Sequence, residues 1–71
     1  MTSEEIRMKI SKNLEKYRLE NGYTIKEFAA FAEVTPEEYN ESINLNRDFL
    51  AYELINISEC TNVKLNDIFY N

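Results

Sequence analysis

The chain has 71 residues, a net charge of −5, one cysteine, one glycine, one proline and no histidine. That length points to a single domain over residues 1–71, with a modest core and no disulfide support. No apolar run approaches the roughly 20 residues of a membrane span, and the start MTSEEIRMK is charged, so a cytoplasmic protein without membrane contact is expected.

A first helix is predicted from the spacing of Ile6, Ile10, Leu14 and Tyr17, which fall on one helical face. Thr2 with Glu5 matches a capping box at its start, and Gly22 after Asn21 is a natural stop. Arg18 is placed to pair with a carboxylate inside the bundle. A second helix begins at Thr24, again with a glutamate three residues on, and turns Ile25, Phe28, Ala29 and Ala32 inward. It is short, because Thr35-Pro36 opens a third helix, with Thr35 as N-cap and Glu38 closing the box. Two short helices joined by Glu33 and Val34 make a helix-turn-helix arrangement. Tyr39 and Ile43 are the apolar contacts expected of the third helix.

Asn44-Leu45-Asn46 reads as a loop. A fourth helix is predicted from about Asp48 to Thr61, with Leu50, Leu54 and Ile57 packed and Tyr52, Ile55 and Cys60 as further candidates. Cys60 is best read as a small buried apolar residue, with a reactive thiol as the lesser alternative. Asn62 suits a left-handed cap, and Leu65 to Tyr70 form a last turn with Leu65, Ile68 and Phe69 on the core. Phe69 and Tyr70 are also candidates for a dimer contact. The expected class is all-α, a compact five-helix bundle.

The order LEKYRLENGYTIKEFAAFAEVTPEEYNESIN, then LINISECTNVKLNDIFY, resembles the phage-repressor and Cro-type (Xre) helix-turn-helix family over residues 10–70, without a gap. Arg18 with Gly22 and Thr24, the Phe28-Ala29 pair, Val34-Thr35, and Val63, Leu65 and Asp67 to Phe69 carry the resemblance. It implies the lambda-repressor-like DNA-binding fold and a third helix, Thr35 to Asn44, that enters the major groove. It also implies a transcriptional regulator that binds operator DNA as a homodimer. Several positions depart from the family pattern. Ile25 stands where the family often has Gln, Glu33 and Leu45 where it usually has Gly, and Phe31 where it tends to have a surface Lys or Glu.

The largest departure is charge. Residues 27–46 hold Glu27, Glu33, Glu37, Glu38 and Glu41 and no Lys or Arg, while residues 1–26 are net positive. An acidic third helix repels phosphate and favours a basic partner. The glutamates read equally as a solvated face, with Glu37 and Glu38 at the positive end of the helix dipole. If DNA is the ligand, Thr35, Glu38, Asn40 and Asn44 are the expected contacts, with the Thr35 amide holding phosphate and Asn40 suited to adenine. If protein is the ligand, Glu37, Glu38, Glu41 and Phe31 form the surface, in the manner of an anti-repressor or DNA mimic. Phe31 has core packing as its plain alternative, and Asn40 an ordinary exposed side chain. Lys12, Lys16, Lys26, Asn46 and Arg47 supply the supporting surface in either case. Catalysis is not expected: there is no histidine base, no Ser or Cys with a plausible partner set, no phosphate-cradling glycine loop and no metal-ligand pattern. No cofactor, metal or small-molecule substrate is expected.

Overall fold

The computed structural model describes residues 2–70. They form five α-helices: α1 (Ser3–Glu20), α2 (Ile25–Ala32), α3 (Pro36–Ile43), α4 (Ala51–Thr61) and α5 (Leu65–Tyr70). Each early start has a side-chain cause. The Thr2 hydroxyl accepts from the Glu5 amide at 3.2 Å. Reciprocal boxes close at Thr24 with Glu27 and at Thr35 with Glu38. Pro36 occupies the first turn of α3, where its missing N–H costs nothing.

α4 starts three residues later than the sequence suggested, and the reason is Glu53. Its carboxylate accepts from the Leu50 amide at 2.9 Å, which fixes Leu50, in extended backbone, as the cap. Asp48 is instead drawn to α1, where its Oδ1 lies 2.6 Å from Arg7 Nε. That is a charge contact without hydrogen-bond alignment, since Arg7 Nε has no hydrogen-bond partner.

Helix ends follow one rule. α1 closes through Tyr23 N–H to Arg18 C=O and Gly22 N–H to Leu19 C=O. α2 repeats the pair, with Val34 donating to Ala29 and Glu33 to Ala30, and α3 repeats it with Asn46 to Glu41 and Leu45 to Ser42. This double closure, the Schellman motif, needs a left-handed residue at its centre. The residues there are Gly22, Glu33 and Leu45, at φ 71°, 63° and 67°. Only the first is glycine. α4 ends on left-handed Asn62, whose N–H reaches Ser58 C=O.

The core is one cluster of Ile10, Leu14, Phe28, Ala29, Ala32, Tyr39, Leu54, Ile57 and Ile68. α2 lies against both α3 and α4, and α5 returns to pack on α1. Asn13 anchors that return, donating to the Ile68 carbonyl at 2.8 Å. Phe49 was not anticipated; it packs on the core from the loop before α4, its ring centroid 5.8 Å from that of Tyr39.

Five apolar expectations are corrected. Ile6 is exposed, because it lines an open concavity between the start of α1 and the loop before α4 and is not covered by a helix. Leu50, Tyr52 and Ile55 face outward. Leu54 and Ile57 fix the inward stripe of α4, and the next inward position is Thr61 at i+4, so Cys60 is exposed rather than buried. Among the described residues, no helix is long and apolar enough to cross a membrane.

Candidate functional site

α3 is an eight-residue helix with two contrasting faces. Its inner face is anchored at both ends. Tyr39 is fully buried, edge-on to Phe28 and Phe49. Its hydroxyl donates to Glu15 Oε2 at 2.8 Å. Glu15 in turn receives two 2.8 Å bonds from the Arg18 guanidinium, and Arg18 Nη1 donates to the Tyr23 carbonyl. The expected pairing of Arg18 with a carboxylate is thus present, and it ties α3 to α1. Arg18 beside Glu15 holds that carboxyl below its ordinary range, against the opposing effect of burial. Burial, then the Glu15 charge, push the Tyr39 phenol far upward, so the hydroxyl stays a donor.

The second anchor is Ser42, also buried. Ser11 donates to its carbonyl at 3.2 Å. Arg47 Nη1 donates to its hydroxyl at 2.9 Å and to Glu53 Oε1 at 3.1 Å, while Arg47 Nη2 meets Glu53 Oε2 at 2.7 Å. Glu53 is wholly buried and the Arg47 side chain 22% exposed. Arg47, expected on the supporting surface, has its guanidinium turned inward to hold the end of α3 against α4.

The outer face of α3 carries Glu37, Asn40, Glu41 and Asn44, all exposed and close together at helical spacing. Glu38 lies at its flank, with its carboxylate taken by the helix start: the Thr35 amide donates to Glu38 Oε1 at 3.0 Å. That bond, with the one to the Thr35 side chain, lowers the Glu38 pKa. The Thr35 amide, expected to hold phosphate, is therefore already bonded to a carboxylate of the chain itself. A phosphate at this helix start would have to displace Glu38.

The supporting residues are spread around this face. Lys12 lies beside Ile43 and Leu45 at the end of α3. Lys16 is exposed, its ammonium 5.8 Å from the Tyr17 ring centroid. Lys26 is exposed in the first turn of α2, and Asn46 is exposed with its amide closing α3. Phe31 is half-buried. Its ring stands edge-on to Tyr23 at 5.5 Å and 6.1 Å from Phe28, so it belongs to the aromatic cluster behind α2. It adds at most a rim to any surface formed with α3.

Sequence reasoning missed Glu15, Ser42 and Glu53 as the groups that fix α3. Glu53 carried one legible signal, its place three residues after Leu50. Its bond with Arg47 spans six residues that do not share a helix, and nothing in the sequence pairs them. A concavity of about 330 Å³ lies between the start of α1 and the loop before α4, lined by Ile6, Arg7, Ile10 and Phe49 among others. Among the described residues no His, Cys, Asp and Glu cluster could hold a metal ion. Comparison with family models, with curated proteins and with solved structures finds no match to this chain.

Proposed function

We propose that this protein is a small helix-turn-helix regulator of the phage-repressor type, which presents the outer face of α3 to operator DNA. The observation that supports it is the α2–turn–α3 unit. Two capped eight-residue helices are joined through left-handed Glu33, with the inner side of α3 bolted to the bundle and the outer side bare. A rigid, exposed helix of this kind fits a major groove. Asn40 and Asn44 are the base-reading side chains, with Asn suited to adenine and a glutamate able to accept from cytosine N4.

Charge sets the terms of that binding. Arg18 and Arg47 are bonded within the bundle. Phosphate contacts are left to Lys12, Lys16 and Lys26. Three such contacts give log K against log salt a slope of only about −2.7 per protomer, since each neutralised phosphate contributes about −0.9. Base contacts must supply most of the affinity.

A second reading is favoured by one specific observation: Glu37 and Glu41 are exposed on α3 with Asn40 and Asn44, and residues 27–46 contain no Lys or Arg. In that reading α3 binds the basic surface of another protein, as an anti-repressor or DNA mimic. Selection from a random duplex pool at low salt, followed by a salt titration of any enriched sequence, separates the two. An enriched duplex with a shallow slope supports the DNA reading. No enrichment at low salt overturns it. Under the protein reading, Glu37→Lys with Glu41→Lys abolishes capture of a basic partner, and capture that survives the reversal overturns that reading.

A further inference from the structure

α4 has an outward stripe that the bundle does not use. Ala51, Tyr52, Ile55 and Glu59 fall within about 100° of one another around the helix, opposite buried Leu54 and Ile57. Tyr52 is 53% exposed and Ile55 42%, with Leu50, 47% exposed, at the leading edge. Glu59 is the only charged residue on this stripe, in a chain where 30% of residues are charged.

We infer that this stripe is a self-association surface, on which two copies pair their α4 helices antiparallel about a two-fold axis at Ile55. An isologous contact requires a patch complementary to itself. In that pairing Ile55 packs on Ile55, and a residue n places after it faces the residue n places before it. Glu59 therefore lies opposite Ala51 of the other copy. Ala51 is the first residue of α4, the positive end of its dipole, and its small side chain leaves room for a carboxylate. The two Glu59 side chains stay about 12 Å apart along the axis, at 1.5 Å per residue, so the only like charges on the stripe do not meet.

Charge also selects a second copy over other occupants. The stripe has no Lys or Arg to hold an acidic protein or an anionic membrane. The concentrated acids of the chain lie on α2, α3 and the turn between them. Two copies, each at −5, meet less repulsion through this stripe, with its single charge, than through α2 and α3 with five. Three partly exposed apolar side chains fall short of the roughly 800 Å² per partner of a standard interface. The association is accordingly weak and concentration-dependent.

Sedimentation velocity on the full chain, from micromolar to millimolar, tests this. The mean mass rises towards that of a dimer with concentration. Ile55→Lys weakens association by at least about tenfold, because it places a charge at the centre of the contact, and leaves the helical circular dichroism unchanged because the site is exposed. In a Cys60→Ser background, Ile55→Cys forms a disulfide dimer on mild oxidation. Cys60 itself, about 140° around the helix from Ile55, does not. A monomer at every concentration, association unaffected by Ile55→Lys, or cross-linking through Cys60 while Ile55→Cys stays reduced would each overturn the inference. None of these results bears on what α3 binds, which the duplex selection decides separately.

Discussion

Glu33→Gly should stabilise the protein. Glu33 sits at φ 63°, ψ 39°, the centre of the double closure that ends α2. A residue with a β-carbon held in that region costs about 1–2 kcal/mol, which glycine avoids. Glycine also gains freedom in the unfolded chain, which offsets about 0.4–1 kcal/mol. The side chain of Glu33 is exposed, so little packing is lost. The balance is a gain of about 0.5–1 kcal/mol, or a rise in melting temperature of about 2–8 °C for a domain of this size. Urea and thermal denaturation of wild type, Glu33→Gly and Glu33→Ala measure it. Both variants remove the charge beside the acidic helix, but only glycine removes the β-carbon, so the difference between them isolates the backbone. A glycine variant no more stable than the alanine variant would refute the reasoning.

Two further outcomes follow from the anchors of α3. Arg47→Ala leaves the Glu53 carboxylate buried without its ion partner and should cost about 3–5 kcal/mol by urea denaturation, whereas Arg47→Met with Glu53→Leu should recover the part due to the stranded charge but stay below wild type, because the Leu50 amide and the Ser42 hydroxyl lose their partners. Arg18 lowers the Glu15 carboxyl in the folded chain below the ordinary value of 4.5. Its contribution is therefore present above that value and lost as pH falls below it towards the folded pKa; Arg18→Gln should flatten the acid limb of a stability–pH profile, and an unchanged limb would remove Glu15 from the account.

Much of the architecture was legible because its signals are local. The capping residues Thr24, Glu27, Thr35 and Glu38 are close in sequence and lie on the helices they start, so their spacing is enough to place α2 and α3. The left-handed end at Asn62 was readable for the same reason, whereas Glu33 and Leu45 stood out only through the family resemblance, as positions where glycine is usual. α4 shows where such reasoning stops. Its start depends on a loop in which Phe49 packs under Tyr39 and Asp48 answers Arg7 from across the fold. Its outward side carries Tyr52 and Ile55 beside the inward Leu54 and Ile57, so periodicity picked out the inward pair but left the outward one as candidates for the core. At the candidate site, the exposed acids could be listed from sequence, but their support could not. Tyr39 reaches Glu15 across 24 positions and Ser11 reaches Ser42 across 31. The inward turn of the Arg47 guanidinium depended on Glu53, a side chain that looks like any helix glutamate until it is buried.

The three arginines of this chain, Arg7, Arg18 and Arg47, are all tied to its own carboxylates, while Lys12, Lys16, Lys26 and Lys64 stand exposed. Fold and outward sign are thus assigned to chemically different groups. A reagent or enzyme that acylates amines would leave the guanidinium clamps intact. It would shift the exterior further towards the anionic without loosening the bundle.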